Sequence, residues 1–120
     1  MKVFSVTDPI FKTDPLFILG CPRADLDAYL RRRFRVMAGD ATQHWAGQMF
    51  TFDKVPWRVV WTLNIDLPVI LHETFHLVTR ICQDKGIGIV AHHPDGAYGD
   101  ETAAYLFEFF ARAIVRRVRR

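Results

Sequence analysis

The sequence predicts an α+β fold in which a small mixed sheet of three or four strands packs against three helices. Two observations predict this class: four short apolar runs bounded by turn-forming residues, and three longer segments whose apolar residues recur with helical spacing. The chain has 120 residues, of which 50% are hydrophobic and 13% aromatic. That is enough to bury a core without disulfide bonds, so we expect residues 1–120 to form a single domain.

The predicted strands fall into two pairs. In the first pair, one run ends at Asp8-Pro9 and the next ends at Gly20. The second pair is a hairpin that turns at residues 53–56, directly before the central helix. An exposed edge of this hairpin could hold an extended peptide by backbone hydrogen bonds, although the sequence leaves open whether either strand is an edge. The four strands are predicted at residues 2–7, 16–19, 48–52 and 58–63.

Two amphipathic helices are predicted on either side of the central one. The first begins at Pro22, and its arginines lie opposite its apolar face, where we interpret them as a solvated basic surface. The last covers residues 100–117, with Asp100 or Gly99 near its N-cap. The apolar positions are Leu26, Tyr29, Leu30 and Phe34 in the first helix, and Ala103, Ala104, Phe107, Phe110, Ala111, Ile114 and Val115 in the last.

The central helix is predicted at residues 67–85 and contains the motif His-Glu-x-x-His. Asp66 is a suitable N-cap, Pro68 is tolerated in the first turn, and Gly86 is placed to end the helix. Buried inside an otherwise apolar helix, three ionisable side chains would be costly without a metal ion or other partners. The motif therefore favours a functional site over two histidines of an ordinary core.

The spacing of this motif explains its chemistry. His72 and His76 are four residues apart and lie one above the other on the same helix face, so both imidazoles can bind one ion. A catalytic zinc ion typically has three protein ligands and an open position for water, and it lowers the pKa of that water to about 7. Glu73 can reach the water as a general base without binding the metal. The motif predicts metal-assisted hydrolysis of an amide.

The third protein ligand must come from elsewhere in the chain. In one class of zinc peptidases the motif continues to a further His, but that position is Cys82 here and the required Gly is Thr79, so we exclude that class. Glu101, in the first turn of the last helix and 25 residues after His76, is the favoured candidate. His92 or His93 is the alternative.

Two segments of the chain resemble known metallopeptidases: His72-Glu73-Thr74-Phe75-His76 and Asp100-Glu101-Thr102-Ala103-Ala104-Tyr105. Together they resemble the gluzincins, in which a Glu from a downstream helix completes the zinc site, and also small metallopeptidase-like proteins of phage and bacterial genomes. The resemblance covers roughly residues 66–110. It implies a minimal zincin-like fold in which His72, His76 and Glu101 bind Zn²⁺ and Glu73 is catalytic. Ala103 and Ala104 are small enough for close approach of the two helices.

A second resemblance supports the alternative ligand. SprT-like proteases, which act on proteins attached to nucleic acid, use a His about 15 residues after the second motif His. His92 lies 16 residues after His76, although the surrounding residues depart from that pattern and Glu101 would have no role. If Glu101 binds the metal instead, His93 or Tyr98 could stabilise the oxyanion that develops on the scissile carbonyl.

Composition limits the remaining classes of function. Cys21 and Cys82 form no disulfide framework, so we expect two reduced, buried thiols. The sequence shows no signal-peptide pattern and no run long enough to span a membrane, and we expect a cytoplasmic protein. The net charge of +3 is compatible with an acidic partner but does not identify one.

Two hypotheses of function follow. The first is a zinc-dependent peptidase that hydrolyses a peptide or protein substrate. The second is a zincin-fold protein without proteolysis, whose metal is structural and whose basic surface binds an acidic protein or nucleic acid. The presence of Glu73 favours the first, because a structural zinc site has four protein ligands and needs no general base.

Overall fold

The computed structural model describes residues 1–39, 46–87 and 97–120. Within these residues the strand order is β1-β2-β4-β3, with β2 and β4 parallel and the other two pairs antiparallel. The predicted α+β class, a mixed sheet with three helices, is confirmed. The elements are β1 Lys2–Ser5, β2 Leu16–Leu19, α1 Arg23–Phe34, β3 Gly47–Thr51, β4 Arg58–Thr62, α2 Leu67–Asp84 and α3 Ala97–Val118.

The sheet separates two hydrophobic clusters. The central strand β2 is buried on both faces, and its residues alternate between the two clusters as the pleat requires. Phe17 and Leu19 pack with α2 and α3 on one face, while Leu16 and Ile18 pack with α1 on the other. The result is three layers, with the sheet between α1 and the pair α2 and α3.

Helix α1 has the predicted division between its two faces. Leu26 and Leu30 are fully buried against the sheet, whereas the arginines at 31–33 and Arg35 are exposed to solvent. Arg35 has a left-handed backbone with φ of 59° and its N–H donates to Arg31, which ends the helix. The interpretation of these arginines as a solvated surface agrees with their exposure.

Helix α2 begins where the sequence predicts and ends one residue before the predicted end. Asp66 occupies the N-cap position, although its side chain makes no capping hydrogen bond, and Pro68 lies in the first turn. At the other end, Gly86 has φ of 71° and the Ile87 N–H donates to the Cys82 carbonyl at 2.8 Å. A left-handed glycine followed by this six-residue hydrogen bond is typical of a helix C-terminus.

Helix α3 begins three residues before the predicted start and packs through a different set of side chains. Leu106, which the predicted apolar face did not include, is fully buried together with Phe110 and Ile114. Ala103 packs against the core, but Ala104 is exposed, so the expected close approach through both alanines is wrong for Ala104.

Both cysteines are buried and unpaired, as expected, and burial raises the pKa of each thiol. None of the helices in the described ranges is long and apolar enough to cross a membrane.

Candidate metal centre

The histidines of the central helix meet at the surface of α2. The Nε2 atoms of His72 and His76 are 3.2 Å apart, and the two rings are nearly perpendicular, at 80°. Two nitrogens bound to one tetrahedral zinc ion at 2.0–2.1 Å would be about 3.3 Å apart. Both side chains are exposed, so an ion can reach the nitrogens. The pair therefore fits a zinc ion as two of its ligands.

Glu73 lies beside this pair but in a different environment. Its side chain is 11% exposed, and one carboxylate oxygen is 3.9 Å from the Nε2 of His72. Burial raises the pKa of Glu73, and the opposing effects of His76, His72 and a hydrogen bond from the Met49 N–H are smaller. A carboxylate with a raised pKa is a stronger base than an ordinary Glu, as a general base requires.

A groove of about 1060 Å³ runs along α2 and includes this site. One wall is the exposed face of α2 and the other is the beginning of β3, which brings both histidines and Glu73 to the groove surface. Its volume is at the upper limit of the range found for small-molecule sites. The lining residues are Ala46, Gly47, Gln48, Met49, Pro68, Val69, His72, Glu73, His76, Thr79, Arg80 and Gln83.

Strand β3 has no neighbouring strand on its groove side within the residues that the structure describes. Beyond its two ends, the N–H of Leu63 donates to Ala46 and the N–H of Phe52 donates to Trp57. Because the hydrogen-bonded residues of an antiparallel pair alternate, the odd-numbered residues of β3 direct their N–H and C=O groups away from β4. These residues are Gly47, Met49 and Thr51.

Gly47 allows β3 and α2 to approach closely. A Cβ atom at this position would lie 3.1 Å from the Val69 Cγ1, 3.2 Å from the Glu73 Cγ and 3.0 Å from the Trp61 carbonyl oxygen. Any larger residue would therefore press against the aliphatic part of Glu73. Glycine at this position therefore allows Glu73 to lie beside the strand.

Glu101, the favoured third ligand, is not brought to the histidine pair. Glu101 is exposed in the first turns of α3 and does not line the groove. Among the described side chains, no three His, Cys, Asp or Glu residues lie close enough together to hold a metal ion. His92 and His93 lie outside the described residues, and so does the side chain of Tyr98. The third ligand stays a prediction.

The sequence did not single out Gly47, Met49 or Arg80, three groove residues whose backbone or charge shapes the site. Arg80 could have been found, because it follows His76 by four residues and must share its helix face. Met49 contributes its backbone N–H, which any residue except proline could supply. The amino-acid sequence therefore gives no sign of this contact. The importance of Gly47 depends on which helix packs over β3.

Comparison of the chain with protein-family models, curated proteins and solved structures finds no match.

Proposed function

We propose that this chain is a zinc-dependent peptidase in which His72, His76 and Glu101 bind the metal and Glu73 is the general base. The observation that carries the proposal is the 3.2 Å separation of the two Nε2 atoms, the spacing required of two ligands on one zinc ion. A structural pair of histidines would not need a buried carboxylate next to it or an open groove beside it.

Each residue of the site has a distinct task. When bound, zinc polarises the scissile carbonyl and lowers the pKa of the attacking water. Glu73 accepts the proton of that water and can then deliver it to the leaving amine. The Met49 N–H holds the carboxylate against the strand, so the base stays oriented. The Glu73 carboxylate is largely buried, which limits the hydrogen bonds that bulk water can make to it.

The groove suits an extended peptide. The Met49 N–H is donated to Glu73, but its C=O group and the outward N–H and C=O groups of Gly47 and Thr51 allow a peptide to pair with β3 by β-augmentation. The histidine pair lies on the opposite wall. Such pairing depends on the peptide backbone and tolerates many sequences. We therefore infer a peptide or an extended protein segment as substrate.

Metal content identifies the third ligand. We expect about one zinc ion per purified chain, measured by elemental analysis, with loss in Glu101→Ala and no loss in the double variant His92→Ala/His93→Ala. Glu108→Ala is the matched control, because Glu108 is also exposed on α3 but hydrogen-bonds Arg112 at 2.7 Å. If zinc stays bound in Glu101→Ala but is lost in His92→Ala/His93→Ala, the site is SprT-like. Proteins attached to nucleic acid then become the substrates to test.

The role of Glu73 separates a peptidase from a protein with a structural metal. Glu73→Gln should leave the zinc content unchanged and lower peptide hydrolysis by at least about 100-fold, with Glu108→Gln as the control. If Glu73→Gln keeps its zinc and the biological function of the protein is unchanged, the hypothesis of a non-proteolytic protein with a structural metal is favoured. If the binding partner is then a nucleic acid, the affinity of the protein for it should fall steeply as the salt concentration is raised.

A further inference from the structure

The groove carries one cationic side chain of fixed charge among its described lining residues, Arg80. Arg80 follows His76 by one helical turn and His72 by two, so the three side chains form a row on the groove side of α2. Its side chain is 42% exposed, which leaves it accessible to a bound molecule. The base Glu73 is the only carboxylate among the same lining residues.

The surroundings of Arg80 offset only part of its charge. Its Nε is 3.3 Å from the Oδ1 of Asp84, but Asp84 also pairs with Arg58. Two guanidinium groups therefore share one carboxylate, so Asp84 offsets only part of the charge of Arg80. The groove thus has a surplus of positive charge at the end that contains Arg80.

Strand β3 and helix α2 run in the same direction along the groove. Gly47 at the start of β3 contacts Val69 and Glu73, whereas Thr51 at its end pairs with Arg58, which reaches Asp84. A peptide that pairs antiparallel with β3, the more stable arrangement, runs the opposite way. Its N-terminal part then lies beside Arg80.

The helix geometry gives the position of the contact. Arg80 lies about 9 Å along the α2 axis from the midpoint of the histidine pair, at 1.5 Å per residue. An extended peptide advances by about 3.3 Å per residue. The residue beside Arg80 is therefore the second or third on the N-terminal side of the cleaved bond.

We propose that the groove selects peptides that carry Asp or Glu two or three residues before the cleaved bond, and that Arg80 determines this specificity. The inference rests on the proposed peptidase activity and names the substrate class of that same site. Arginine binds carboxylates through paired, charge-assisted hydrogen bonds, which makes it suited to this selection.

The test compares peptides that differ only by Glu and Gln at each position on both sides of one cleavable bond. With zinc-loaded protein, we expect Glu at the second or third preceding position to raise kcat/KM about fivefold over Gln. Arg80→Gln should bring this ratio to about one, Arg80→Lys should retain part of it, and added salt should reduce it. Arg112→Gln, which changes an exposed arginine of α3, should leave the ratio unchanged.

Two negative outcomes have different meanings. The role of Arg80 alone would be overturned by any of three results in a cleavage assay. These are no preference for Glu, a preference for Glu only after the cleaved bond, or a preference for Glu that survives in Arg80→Gln. Failure to cleave any peptide by protein that holds zinc would instead contradict the peptidase itself.

Discussion

Asp8 and Glu73 are both buried carboxylates, and their pKa values are displaced from the ordinary values in opposite directions. Burial alone would raise the pKa of Asp8, but hydrogen bonds from the Thr13 hydroxyl and from the N–H groups of Phe11, Thr13 and Ile10 together lower it. Glu73 has one backbone donor, and burial prevails. Asp8 is therefore held as a permanent anion that organises a turn, whereas Glu73 is kept ready to accept a proton.

Asp8→Asn should lower the free energy of unfolding by about 2 kcal/mol at pH 7, because an amide nitrogen cannot accept the hydrogen bonds made to one carboxylate oxygen. The folded pKa of Asp8 lies below the ordinary value of 3.8, so its stabilisation is present above pH 3.8 and is lost as the pH falls through the folded value. Urea unfolding of both proteins between pH 7 and pH 2 measures the difference.

The exposed Asp14, in the same loop, is the control: Asp14→Asn should change stability much less. A difference between wild type and Asp8→Asn that stays constant down to pH 2 would show that the charge of Asp8 contributes nothing.

At the scale of elements, the candidate site depends on how closely β3 approaches α2. The sequence located both elements, since hairpin and helix periodicities are local properties of the chain. It did not show that β3 is the edge, because that follows from the parallel pairing of β2 with β4, two segments far apart in sequence. For the same reason the contacts of Gly47 and the orientation of the Met49 N–H could not be anticipated.

Gly47→Ala tests this approach. The added Cβ would crowd Val69, Glu73 and the Trp61 carbonyl, so we expect a loss of stability of about 1–3 kcal/mol. Because Glu73 would be displaced, the rate of peptide hydrolysis should fall by a larger factor than the amount of bound zinc. Denaturant midpoints, elemental analysis and peptide assays measure the three quantities, with Thr51→Ala at the exposed end of β3 as the control. Wild-type activity in Gly47→Ala would show that the site tolerates a wider spacing.

At the scale of the whole molecule, the sheet divides the core into two clusters that share no buried residue. The sequence indicated which faces of the helices are apolar, and the buried positions Leu26, Leu30, Phe110 and Ile114 were among those predicted. Leu106 was missed and Ala104 was wrongly included, because the stripe that α3 buries against the sheet and α2 is rotated around the helix relative to the predicted one.

The two clusters should respond independently to substitution. Ile18 and Ile114 belong to opposite clusters, so the stability losses of Ile18→Val and Ile114→Val should add to within about 0.5 kcal/mol. Phe17 and Phe110 are in the same cluster with ring centroids 6.3 Å apart, and Phe17→Leu with Phe110→Leu should be clearly non-additive. Double-mutant cycles by urea unfolding compare the two pairs. Strong coupling between Ile18 and Ile114 would mean that the sheet transmits packing changes across its thickness.

All described residues that line the groove come from one continuous segment, residues 46–83. Contacts within such a segment have low sequence separation and small loop-closure entropy, so β3, β4 and α2 can associate while the chain is still being synthesised. Glu101 leaves the ribosome later. If Glu101 is the third metal ligand, a nascent chain carries the groove and both histidines before it can hold zinc firmly, and hydrolysis begins only when α3 has been made and has docked.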